Sequence, residues 1–223
     1  MNIKITENIE MIYNKCDMPY IDEIVNFFKN NFTNVMHFFN IAKLDKKVVI
    51  QLWDDSEKLR EKLKAETGDE IPFWFTGRAS CNKEDAYFRI DYLSLKEIIK
   101  IDYHSNETIN DLKKGILHEF VHICHSQSCN YNYPEELFLS EGVATYLAHQ
   151  YEDSKLTVPV EKILDDTTYV EYGNYRFLFN ILIDYYSKDP LLSILNNKSK
   201  LNYDGIIHHV NNLYQGENNK TIK

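Results

Sequence analysis

"GILHEFVHICH", residues 115–125, sets three histidines and a glutamate into a run of Ile, Leu, Phe and Val. An apolar stretch of this kind reads as a helix that faces a core, and a core helix must give every titratable side chain a partner. On a helix, His118 and His122 are four residues apart and project from one face, one turn apart. That separation lets two ring nitrogens reach one zinc ion at ~2.0–2.1 Å. Glu119 points roughly 100° around the helix from His118. It would stand beside such a metal without ligating it, where a general base is needed. Buried histidines can also be satisfied by carbonyls alone, so a third ligand is what separates the two readings.

His118-Glu119-Phe120-Val121-His122 is the pattern H-E-x-x-H, whose chemistry is metal-assisted hydrolysis. Upstream, Thr108 lies three residues before Asp111, a capping-box-like start for the same helix. Downstream, "LFLSEGVATYLAHQ" (137–150) is a second helical stretch with an acid inside an apolar pattern. Glu141 follows His122 by nineteen residues, and the loop "SQSCNYNYPEE" is long enough to turn the chain and lay this helix antiparallel to the first. Glu141 would then complete a His₂Glu zinc site with the fourth position left for water. Thr145, one turn further, would hydrogen-bond the outer nitrogen of a zinc histidine. A metzincin would need Gly at position 125 and His at 128, where this chain has His125 and Ser128. His125 is read as exposed or as a neighbour of the ligands, and His104, His149, His208 and His209 as ordinary surface or core histidines.

Strand-like segments come before the motif. "KKVVIQLW" (46–53) is a β-branched strand, followed by a charged helix, "DSEKLREKLKAETG", closed by Gly68. "PFWFTGRAS" and "AYFRIDYL" (86–93) read as two strands joined by the polar turn "CNKED". In the second, Phe88, Ile90 and Tyr92 alternate with Tyr87, Arg89 and Asp91, as in a half-buried strand. Residues 19–40 repeat apolar side chains at three- and four-residue steps behind Pro19, an amphipathic helix. From about residue 107 the patterns are helical almost to the end. Strands first and helices second predict an α+β fold. It would be a single domain over 1–223, with a small mixed sheet in a part reaching about residue 105, a helical part over about 106–216 and a polar, frayed tail at 217–223.

The chain's 223 residues, 43% hydrophobic and 26% charged, describe an ordinary globular protein. A formal charge of −9 with no stripe of Lys and Arg argues against a nucleic-acid partner. The N-terminal residues lack the pattern of a secretory signal, and no apolar run reaches the ~18 residues of a membrane span. No membrane partner is therefore expected, and the cytoplasm is the expected location. Four cysteines make no disulfide framework and read as buried thiols in a reducing compartment.

"HEFVH" followed by "LSEGVATYLA" resembles the gluzincins, the HExxH…E zinc metallopeptidases that include thermolysin and the aminopeptidase N group, and is closest to their compact bacterial, peptidase MA-like branch. The resemblance covers roughly residues 45–195. It implies a zincin-like catalytic domain in which a helix pair carries Zn²⁺ below an edge strand that binds the backbone of a peptide or protein substrate. "FTGRAS" is similar to that strand, which makes Gly77, Ala79 and Arg78 between them the substrate-binding candidates, with Gly77 permitting close approach. In the aminopeptidase branch a tyrosine on a later helix stabilises the oxyanion. "VEYGNYRFLFNILIDYY" places Tyr172 at that position, with Tyr175 as the alternative one turn on. The Gly-x-Met-Glu-Asn signature that anchors a free amino terminus is absent, which argues against an aminopeptidase. The expected activity is peptide hydrolysis by a metal-activated water with Glu119 as base. The alternative is an intracellular regulatory or binding protein that keeps the zincin fold for one dedicated partner.

Overall fold

The computed structural model describes residues 1–133, 136–165 and 170–218, with side chains through residue 213. The expected frayed tail lies outside the described residues from 219 on. The chain divides into two compact units, Met1–Tyr131 and Asn132–Lys223. The fold is α+β.

The first unit is built on a mixed five-stranded sheet in the order β1-β2-β3-β5-β4. Its strands are β1 (Asn2–Lys4), β2 (Ile9–Ile12), β3 (Val48–Trp53), β4 (Gly77–Ser80) and β5 (Phe88–Leu93). β2, β3 and β5 run parallel, whereas β1 and β4 are antiparallel edge strands. The helices are α1 (Ile21–Phe38), α2 (Ser56–Thr67), α3 (Leu95–Ile98) and α4 (Ile109–Ser128). Register places Ile9, Val48 and Phe88 in one row and Met11, Ile50 and Ile90 in the next, all buried. This face carries the core, where Phe28 of α1 meets Phe120 of α4 edge-on at 5.1 Å between ring centroids. The charged helix is α2; the Asp55 carboxylate caps its start, and Gly68 ends it in the left-handed region at φ 79°.

Two expectations change. "PFWFTGRAS" is a strand only from Gly77, because Pro72 heads a turn in which the Phe75 N–H donates to the Pro72 carbonyl. β5 is not half-buried: Asp91 and Leu93, on its second face, are as enclosed as Phe88 and Ile90. Helix α2 accounts for Asp91, since Lys62 pairs with its carboxylate at 2.7 Å. Within the first unit, the helix bearing the motif, α4, lies against α1 and β4.

The second unit is helical: α5 (Leu137–Leu147), α6 (Val160–Leu164), α7 (Tyr172–Tyr186), α8 (Lys188–Leu195) and α9 (Tyr203–Asn218). Its main contact is α5 on α7. Gly142 permits this, because a Cβ there would lie 3.1 Å from both Phe179 Cβ and the Tyr175 carbonyl oxygen.

Candidate functional site

The capping box expected at the start of α4 is present: Thr108 accepts from the Asn110 N–H at 3.2 Å, and Asp111 accepts from the Thr108 N–H at 2.8 Å. Two further contacts hold the C-terminal end, where Gln127 accepts from the Asp45 N–H and donates to the Lys43 carbonyl. With both ends fixed, the helical repeat decides where the histidines point. His118 is buried and His122 half-buried, and their Nε2 atoms approach to 3.0 Å. Two nitrogens at ~2.0–2.1 Å from one tetrahedral ion are ~3.3 Å apart, so this pair fits a shared metal to within a few tenths of an ångström.

Glu119 stands on the neighbouring face and meets β4. Hydrogen-bonded and non-bonded pairs alternate along an antiparallel ladder. Because the Leu93 N–H donates to the Thr76 carbonyl, the register places Thr76, Arg78 and Ser80 in the bonded positions. Gly77 and Ala79 therefore turn their backbone groups to the outer edge of the sheet. There the Ala79 N–H donates to Glu119 Oε2 at 2.7 Å. The candidate base is thus oriented by the strand read from sequence as a substrate platform.

Tyr92 of β5 explains how α4 comes so close. A Cβ at Gly77 would collide with the Tyr92 ring, and one at Gly115 of α4 with its hydroxyl. Two glycines from different elements make the slot for one aromatic side chain. Gly77 thereby has a packing reason to be glycine in addition to its place on the edge. A mid-helix glycine three residues before the first histidine was the signal available for this contact.

The other candidates lie in the second unit. Glu141 is half-buried on α5. The Thr145 hydroxyl donates along the same helix to the carbonyls of Glu141 at 2.8 Å and Gly142 at 3.0 Å, so its one proton serves the backbone. Tyr172 opens α7, half-buried, stacked on Tyr151 at 6.5 Å and edge-on to Tyr175 at 6.0 Å. Tyr175 is a core side chain, 1% exposed. His125, read as exposed or beside the ligands, is fully enclosed and stacked on Phe39 at 5.5 Å, because its α4 face turns to α1's C-terminal end.

The sequence reading missed a charged network on the α2 face of the sheet. Asp91 accepts from Lys62, from Arg89 Nε at 2.6 Å and from the Trp53 indole N–H at 2.9 Å, while Arg89 also pairs with Glu66. The i,i+4 pair Lys62 and Glu66 on α2 was its only trace in the sequence. No family model matches the chain, and neither a curated protein nor a solved structure does. Among the described residues, no helix is long and apolar enough to cross a membrane.

Proposed function

We propose that this chain is a zinc-dependent peptidase of gluzincin type, with His118, His122 and Glu141 as metal ligands and Glu119 as general base. The observation that carries this reading is the convergence of the His118 and His122 Nε2 atoms beside a glutamate bound to the open edge of β4. Two imidazoles and a carboxylate are a donor set suited to catalytic zinc. A zinc bound there supplies Lewis acidity, polarising a scissile carbonyl and acidifying water.

The chain's own groups do the rest. Gly77 offers its outward N–H and carbonyl, and Ala79 its carbonyl, to an extended peptide, which joins the sheet as a further strand beside the Ala79 N–H held by Glu119. Glu119 accepts the proton of the attacking water and delivers it to the leaving nitrogen, a role that needs its carboxylate near the edge where the peptide lies. Tyr172 donates its phenol proton to the developing oxyanion. Its half-exposed place at the start of α7 suits a donor that must meet substrate better than the enclosed Tyr175 does. The proposed location is the cytoplasm, a reducing compartment in which buried cysteines such as Cys124 and Cys129 stay thiols.

Metal stoichiometry tests the reading. Elemental analysis of the purified protein is expected to find one zinc per chain, and His122→Ala to lose it. Absence of zinc, with none taken up on addition, would overturn the assignment.

A further inference from the structure

The parity of β4 has a second consequence, on the face of the sheet away from α4. With Gly77 and Ala79 facing α4, the side chains of Arg78 and Ser80 point to the opposite face. That face is not flat. A cavity of about 650 Å³ opens there, lined by Arg78, Ser80 and Arg89 of the sheet, Glu66 and Asp69 at the end of α2, and Asp85 of the β4–β5 turn.

Most charges in this cleft are already committed. Arg89 is taken up by Asp91 and Glu66, and Glu66 also pairs with Lys62 at 3.3 Å. Asp85 accepts from the Asn82 N–H at 3.0 Å, closing its own turn. Arg78 is exposed, and no carboxylate among the described residues pairs with it. Asp69 sits off the strand, one residue past the helix-ending Gly68.

We propose that Arg78 is a specificity-determining residue that selects an acidic side chain in the bound peptide. The proposal rests on the reading that a peptide adds to the outer edge of β4. On that edge the Gly77 N–H and carbonyl and the Ala79 carbonyl make the backbone bonds, the Ala79 N–H staying with Glu119, so Arg78 occupies a non-bonded position. The peptide residue directly across from a non-bonded position comes nearest, with Cβ atoms ~4.5–5.5 Å apart, and its side chain shares the face of its partner. Whichever way the peptide runs, one of its side chains therefore enters the cleft beside the Arg78 guanidinium. A carboxylate there gains a charge-assisted, bidentate hydrogen bond, and an ammonium meets a like charge. Asp69 lies on a loop that carries no cross-strand position, so it does not set this preference.

The test uses the full-length, zinc-loaded chain and a synthetic peptide set in which one position at a time is Glu, Gln or Lys. Cleavage is read by mass spectrometry. Binding of the same peptides to Glu119→Gln is read by fluorescence anisotropy, so that recognition is seen without turnover. At one position, Glu is expected to be favoured over Lys by about three- to fivefold, the scale of an exposed cross-strand charge pair. Arg78→Glu is expected to invert that ratio at the same position, and Arg78→Ala to level it. A ratio that is unchanged in Arg78→Glu, or a wild-type preference for Lys, overturns the role of Arg78. Peptides that bind with the invertible preference but are never cut leave Arg78 in place and overturn hydrolysis instead. Peptides neither bound nor cut overturn both.

Discussion

Asp91 in the first unit and Arg176 in the second are both charged and both withdrawn from water, but their surroundings differ. The Asp91 carboxylate meets two cations and an indole N–H, supplied by α2, β3 and its own strand. Arg176, 7% exposed on α7, lies with its guanidinium 4.4 Å from the centre of the Tyr146 ring and donates to the Asn180 side chain one turn away. No carboxylate among the described residues forms an ion pair with it, although Glu152 acts on its charge from farther off, and its Nε has no hydrogen-bond partner among them. Burial pushes the Arg176 guanidinium below its usual range. Asp91 is answered by opposite charges, one of them from an element distant in sequence, whereas Arg176 is met by an uncharged ring on α5 and an amide on its own helix. A charge answered from three elements fixes how they pack. A charge met only by a ring and an amide constrains packing less, and leaves it to apolar contacts such as those around Gly142.

The difference can be broken or sharpened by substitution. The largest effect is expected where a cross-element contact also serves chemistry, at Glu119. Glu119→Gln keeps a group that can accept from the Ala79 N–H but removes the proton acceptor. Hydrolysis of a cleaved peptide should fall about 10²–10⁴-fold while the zinc content is unchanged. Near-normal turnover would reduce Glu119 to a structural contact.

Next comes Asp91→Ala, which strands Lys62 and Arg89 without their anion. Breaking a buried pair typically costs ~3–5 kcal/mol; both cations are about a fifth exposed, so about 3 kcal/mol is expected from denaturant unfolding. A loss below about 1 kcal/mol would remove the contrast with Arg176.

Gly115→Ala is smaller. The added methyl collides with the Tyr92 hydroxyl, and overpacking of this kind costs about 1–3 kcal/mol. Measured again in a Tyr92→Ala background, that cost should shrink, since the colliding atoms are gone. Equal costs in the two backgrounds would mean that Tyr92 does not set the approach of α4 to β4.

The smallest effect belongs to Arg176→Met. Losing a cation over an aromatic ring costs about 0.5–2 kcal/mol, and removing a buried charge that has no ion-pair partner gains a similar amount. Thermal unfolding should therefore move little in either direction. A loss above about 2 kcal/mol would show that Arg176 ties the second unit together as Asp91 ties the first.

What the sequence determined by itself is local. The repeat of a helix places His118 and His122 on one face from their spacing alone, and Thr108, Asp111, Asp55 and Gly68 mark helix ends within a few residues of the groups they cap. Alternation in "FRIDYL" correctly sent Phe88, Ile90 and Tyr92 to the core. What covers the other face of that strand was not legible, because burial of Asp91 depends on α2, about thirty residues earlier in the chain. The two short strands at the N-terminus were not read either. Asn2–Lys4 and Ile9–Ile12 are too brief for a pattern and exist through pairing, β2 with β3 across the whole length of α1. The same holds at the candidate site. Glu119 was legible as a candidate base, but its bond to Ala79 and the slot made for Tyr92 by Gly77 and Gly115 join residues tens of positions apart. Helix geometry is written in neighbours three and four residues away, whereas strand register and close packing are settled by whichever distant surface arrives, and only the folded chain decides that.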